Sequence, residues 1–199
     1  MISWGRLGVW NVGGDAGLAR AAARGDRRAY DALVHAYGRP LRGFLVRRVG
    51  PDAADDVLQE TWLAAWAALP GFARRSCFKA WLFGIAVHKA ADAQRASGRT
   101  SAEAWSDVAE ALPPAGPDPF AASDLKRSVQ ATLARLPPAQ REVLELYYYA
   151  DMTLAEVAET LGRNLNTVKY QFYQAHAGAA DGLREYDSAR AGERTGEQT

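Results

Sequence analysis

A single cysteine, Cys77, stands in a chain of 199 residues, so no intramolecular disulfide can staple the fold. Such a chain suits a reducing, cytoplasmic compartment. Histidine is almost as scarce. His35, His88 and His176 are far apart, and the sequence has no H-E-x-x-H word or Cys/His cluster. That spacing offers no metal site, and no metal or other cofactor is expected. A Gly-rich phosphate cradle and a nucleophile elbow are also missing, so the chain is read as a non-enzyme. No run reaches the ~20 apolar residues that a membrane span requires, and no membrane insertion is expected. The opening MISWGRLGVWNVGG is apolar but broken by glycines, with no basic segment ahead of an apolar core. Residues 1–15 therefore read as a flexible extension, not a secretory signal. Val/Ile-rich alternating runs are absent as well, whereas Ala and Leu are abundant. The expected fold is all-α: two small helical domains joined by a flexible linker.

What is present is unevenly charged. The net charge is only +1, but Arg27 to Thr100 carries twelve Lys or Arg against six Asp or Glu. Residues 101–123 hold four acids and no base, and residues 124–186 hold seven bases against eight acids. A basic segment, an acidic connector and a near-neutral segment point to separate tasks. The connector contains Pro113, Pro114, Pro117 and Pro119 and reads as an extended linker, in which Trp105 could dock on a neighbour. Residues 187–199 read as a disordered tail.

Apolar spacing places three helices in residues 16–100. Tyr30, Leu33, Val34, Tyr37, Leu41, Phe44, Leu45 and Val49 form one stripe, with Pro40 marking a kink or break. After Gly50-Pro51, Asp52 is placed to cap a second helix with Ala54, Val57, Leu58, Thr61, Trp62, Ala65 and Leu69 inward. A third follows with Phe78, Trp81, Leu82, Ile85 and Ala86 inward. In residues 124–186 a helical set around Leu125, Val129, Leu133 and Leu136 precedes another around Val143, Leu144, Leu146 and Tyr147. The stretch TLAEVAETLGRNLNTVKYQFYQA then carries Leu154, Val157, Ala158 and Leu161 on one face, a glycine stop at Gly162, and a second helix capped by Asn164 or Asn166 with Val168, Phe172, Ala175 and Ala179 inward. Two short helices across a glycine turn make either a helical hairpin or a helix-turn-helix whose second helix enters a DNA major groove.

Three groups of side chains suggest chemistry. Asp56, Gln59 and Glu60 lie opposite the core stripe of their helix and project as an exposed polar ridge, which on spacing alone also suits a solvated face. Phe72, Arg74, Arg75, Lys79, Lys89, Arg95 and Arg99 form a basic track beside aromatics, the pairing that single-stranded DNA requires, although Phe78 and Trp81 also suit a core. In the last helix Lys169 is the clear cation, and Asn166, Gln171 and Gln174 can read base edges.

The order of DAADDVLQETWLAAW, SCFKAWLFGIAVHKAADAQR, LARLPPAQREVLELYYYADMTLAEVAETLG and NTVK resembles bacterial RNA polymerase sigma factors of the extracytoplasmic-function group. The resemblance covers roughly residues 16–100 and 124–186. It implies a core-polymerase and promoter-melting domain (16–100), a linker (101–123) and an upstream-element reader (124–186). Its implied partners are core RNA polymerase, promoter DNA and an anti-sigma factor. Asp56, Gln59 and Glu60 would contact polymerase. Phe72, Arg74, Arg75, Lys79, His88, Lys89 and Arg95 would hold the −10 region. Asn166, Thr167, Lys169, Tyr170, Gln171 and Gln174 would read the −35 element. The last helix lacks the arginines usual after TVK, and His88 stands where the family usually has Asn. A free-standing helix-turn-helix regulator and a sigma-like interaction protein with weakened DNA binding are the alternatives.

Overall fold

The structure is a computed structural model, and it describes residues 12–72, 77–98, 103, 133 and 135–179. No strand occurs among them. Arg74, Arg75, Arg99, Trp105, the four linker prolines, Leu125, Val129 and the tail lie outside the described residues.

Helix α1, Val12–Ala23, begins within the segment read as an extension. It buries Ala19 and Ala22, and its Asp15 carboxylate accepts the Tyr37 hydroxyl proton. Alanines and one carboxylate carry little sequence signal, which is why the helix escaped the periodicity. Helix α2, Arg27–Val49, starts at Asp26, whose side chain accepts from the Arg28 and Ala29 amides. It runs through Pro40 without a break. An internal proline costs about 3 kcal/mol, while burying each large apolar side chain contributes about 1.5–3 kcal/mol. Leu33, Tyr37, Leu41, Phe44 and Leu45 are all buried along this helix, so packing prevails.

Helix α3, Pro51–Ala68, is begun by Pro51 at its first position after Gly50. Asp52 is therefore not the cap. It sits exposed in the first turn, where its charge complements the helix dipole. A short 3-10 turn, Leu69–Gly71, leads to Phe72. Helix α4, Phe78–Ser97, is capped by Cys77, whose Sγ accepts from the Ala80 amide at 3.4 Å. Phe44 and Phe83 meet edge-on with centroids 5.4 Å apart at the centre of this bundle.

In the second half, helix α5, Pro138–Tyr148, carries the buried Arg141, which donates to the Leu133 and Leu136 carbonyls at 2.9 and 3.0 Å. It thereby ties the carbonyls of the preceding turn to α5. Helix α6, Leu154–Leu161, opens with a reciprocal capping box between Thr153 and Glu156. It closes at Gly162, whose φ of 61° is left-handed. Helix α7 spans 165–179. Asn164 supplies its cap, accepting from the Asn166 amide at 2.8 Å.

The two halves are packed together, and one core runs through both, joining Leu82 and Phe83 to Val143, Leu146, Met152 and Val157. A polar seam lies over it. Arg48 of α2 donates to Glu142 at 2.7 Å and Glu145 at 3.1 Å, both on α5. Burial opposes the Arg48 charge, but Glu145 and Glu142 outweigh it and its pKa is raised. Arg47 lies over the Tyr149 ring, 4.0 Å from its centroid. Lys79 Nζ donates to the Asp151 carbonyl at 2.6 Å, and Thr160 Oγ1 donates to the Ala80 carbonyl at 3.2 Å. Gly84 faces the same backbone: a Cβ there would lie 3.4 Å from the Thr160 carbonyl.

Candidate nucleic-acid interface

Three surfaces follow from this arrangement. On α3, Asp56, Gln59 and Glu60 are all exposed, as the spacing predicts. The face continues into Leu63, 64% exposed, and Trp66, 37% exposed. Positions 56, 59, 63 and 66 follow a 3-4-3 spacing, so these side chains line one face of α3, polar at one end and apolar at the other. Trp66 was not singled out by sequence; its place on that spacing was the available signal. Its ring is steadied edge-on by Tyr30, 4.7 Å away. Glu60 is not wholly available, because Lys89 of α4 pairs with it at 3.2 Å. Two side chains assigned to different partners thus meet across adjacent helices.

The second surface surrounds the N-terminus of α4. Phe72 is half-buried, its ring 4.9 Å from that of Trp81 and 6.1 Å from that of Phe78. Trp81 remains partly exposed, so an aromatic step is accessible here. His88 is exposed, and Arg95 is exposed but paired with Asp92 one turn back. Lys79 departs from expectation. It is only 7% exposed, and its ammonium is spent on the Asp151 carbonyl within the seam. The reason is positional: Lys79 falls in the first turn of α4, on the side that α6 covers. In this arrangement it is a structural cation, not part of a DNA-facing track.

The third surface is α7. Val168 and Ala175 are buried and Phe172 is half-buried, which turns Asn166, Thr167, Lys169, Tyr170, Tyr173 and Gln174 outward. Phe172 is wedged between Tyr147 at 4.6 Å and His176 at 4.5 Å, and Tyr148 Oη lies 3.0 Å from His176 Nε2. Burial lowers the His176 pKa, so the ring is a neutral partner at pH 7. Gln171 does not join the outward face. It is half-buried on the flank and accepts from Arg163 at 3.3 Å. Arg163 is in turn held by Glu142 at 2.6 Å. A residue that reads base edges must project freely, so Gln171 is better described as a buttress of the turn.

No helix among the described residues is long and apolar enough to cross a membrane.

Comparisons with known proteins agree with this layout. Residues 33–100 match the model of sigma-70 region 2, and residues 126–176 match that of sigma-70 region 4. The chain is 34% identical over 179 residues to the RNA polymerase sigma factor NccH of Alcaligenes xylosoxydans, covering 82% of this chain and 91% of that one. It is 37% identical over 177 residues to the ECF RNA polymerase sigma factor SigD of Mycobacterium tuberculosis, covering 81% and 79%. Among solved structures, CnrH in complex with the cytosolic domain of CnrY superposes with a TM-score of 0.66 at 30% identity, over 86% of this chain and 97% of that one. RpoE of Bartonella quintana, in complex with the anti-sigma factor NepR, shares the fold at a TM-score of 0.60 and 23% identity, over 78% of this chain and 96% of that one. With region 2 in α2 to α4, region 4 in α5 to α7, and curated relatives matched over about four fifths of their length or more, the chain belongs to the extracytoplasmic-function group of sigma-70 family sigma factors.

Proposed function

We propose that this sigma factor binds core RNA polymerase through the α3 face, opens promoter DNA at a −10 element with the Phe72 step and α4, and reads a −35 element with α7. The observation that carries the reading is that one chain turns two unrelated recognition faces to solvent: the 3-4-3 face of α3 and the outward face of a helix-turn-helix. No nucleotide-hydrolysing motif accompanies them, so strand opening draws on binding energy. The solved relative CnrH, bound to the cytosolic domain of a second protein, CnrY, supports a protein partner for this chain, and the family resemblance makes that partner an anti-sigma factor.

The packed arrangement must open for this function. Elements centred about 25 base pairs apart lie about 85 Å apart on B-DNA at ~3.4 Å per base pair. Helix α6 touches α4 through Thr160 and Ala80, and α7 begins just beyond Asn164. At ~1.5 Å per residue α4 is about 30 Å long and α7 about 22 Å, so the two DNA-facing helices cannot be 85 Å apart while the seam holds. The chain between Gly98 and Leu136 can reach about 125 Å at ~3.3 Å per residue, which is sufficient.

The test replaces Gln59 and Glu60 together by Ala in the full chain. Truncating central interface residues costs about 2 kcal/mol or more. We expect the helical content to be kept and the variant to lose competition for core polymerase against a second sigma factor by at least tenfold. Unchanged competition refutes the assignment of α3.

A further inference from the structure

The outward face of α7 is aromatic where a DNA-reading helix is usually cationic. Residues 165–179 contain one Lys or Arg, Lys169. The nearest arginine, Arg163, is engaged by Glu142 and Gln171. Guanine is read most often by a bidentate Arg or Lys, and α7 offers only Lys169 for that contact. What it does project is a row. At about 100° per residue, Asn166, Tyr170 and Tyr173 fall within about 60° of one another, at the centre of the face opposite Val168 and Ala175. Tyr170 is 65% exposed and Tyr173 66% exposed. The fold does not require either ring for burial, and two such rings one turn apart form an apolar patch that marks a contact surface.

The Tyr173 ring is also held ready. Tyr173 rests edge-on against Phe172 at 5.6 Å, and Phe172 is locked in the stack with Tyr147 and His176. An aromatic side chain has two rotatable angles, so little freedom is lost when it meets a partner.

We infer that Tyr170 and Tyr173 are specificity-determining residues that pack against thymine C5-methyl groups in the major groove, so that the upstream element is read as A·T pairs. The inference rests on the reading of α7 as the −35 reader and names the bases it takes. Thymine is the base that presents a methyl group to the major groove, and an apolar side chain is its fitting contact. Asn166 and Gln174 beside the rings match adenine, the partner base, through its N6 and N7. Three residues of helix advance about 4.5 Å, close to one base-pair step, so the two rings meet neighbouring pairs. The hydroxyls at the ring tips then reach toward backbone phosphates, which position the helix without specifying sequence.

The chemical test removes one methyl at a time. Full chain is assembled with core polymerase, and a promoter fragment is selected by this holoenzyme from a randomised upstream region. Each thymine of the protected upstream element is then replaced by deoxyuridine, which keeps the base pairing and every hydrogen-bonding group. At one or two positions the substitution should weaken wild-type binding about fourfold, the worth of burying one methyl group. Y173A and Y170A should bind the thymine fragment more weakly and lose the distinction between thymine and uracil, one position each. Y173F and Y170F should keep the distinction, because the ring remains. Wild-type holoenzyme that binds every deoxyuridine fragment as well as its parent overturns the inference. So does a Tyr→Ala variant that still discriminates. If no upstream sequence is enriched at all while the chain still binds core polymerase, the −35 assignment of α7 itself fails.

Discussion

Glu145→Gln should release the two halves of the chain from each other. Glu145 has a 2% exposed side chain and receives Arg48, itself 8% exposed, at 3.1 Å. Removing one partner of a buried ion pair costs about 3–5 kcal/mol when the other is left alone. Here Glu142, at 2.7 Å, keeps part of the compensation, and glutamine can still accept one hydrogen bond. A loss of about 2 kcal/mol is therefore the reasonable figure, within the range for a hydrogen bond to a charged group. At about 1.36 kcal/mol per decade this lowers the closed-to-open ratio roughly thirtyfold. Arg48 Nε is also buried without a partner among the described residues, which costs about 1–3 kcal/mol in the closed state. Gly84→Leu attacks the same seam sterically, since even a Cβ would touch the Thr160 carbonyl at 3.4 Å. The assay is energy transfer between dyes on exposed Ala67 and Ala177, introduced as cysteines in a Cys77→Ser background. Both variants should lower the transfer efficiency of the free protein, with far-ultraviolet helicity retained. Unchanged transfer in both refutes the reasoning that this seam holds the halves together.

Acid should weaken α6. Burial works to raise the Glu156 pKa, but hydrogen bonds from the Thr153 amide and hydroxyl, with Lys79 nearby, hold it below its ordinary 4.5. The stability it contributes is complete above 4.5 and is lost as the pH falls through the lowered folded value. Glu156→Gln should flatten that part of the acid profile, read as urea midpoints between pH 6 and 3; a profile parallel to wild type counts against the capping box as its source. Phe72→Ala should reduce open-complex formation several-fold on duplex promoters and much less on templates already opened as a bubble. Equal loss on both would show that the Phe72 contacts with Phe78 and Trp81 serve only the fold.

The legible parts of this chain were those set by local chemistry. The stripes of α2, α3 and α4, the glycine stop of α6, and the exposed ridge at Asp56, Gln59 and Glu60 all follow from 3.6-residue spacing and short-range caps. Pro40 misleads because its cost is local and the packing that overrides it is not. The seam was illegible for a related reason. Arg48 and Glu145 lie 97 residues apart, and a charged residue on a helix reads as solvated until a partner surface arrives. Lys79 and Gln171 fell to the same effect, each placed by sequence in a DNA-facing group and each engaged by a neighbour of the tertiary fold. Tyr173 was visible as a residue but not as a site, because aromatic residues near Phe172 suit a core equally well.

Run-off transcription by core RNA polymerase, with and without the full-length chain, on a promoter fragment selected by that same holoenzyme tests the central claim most directly. The account predicts a transcript from one defined start site that appears only when the chain is present and disappears when either the upstream or the −10 segment of the fragment is scrambled. A chain that co-purifies with core polymerase yet produces no start-site-specific transcript would contradict it, and would make the protein a polymerase-binding factor without promoter recognition.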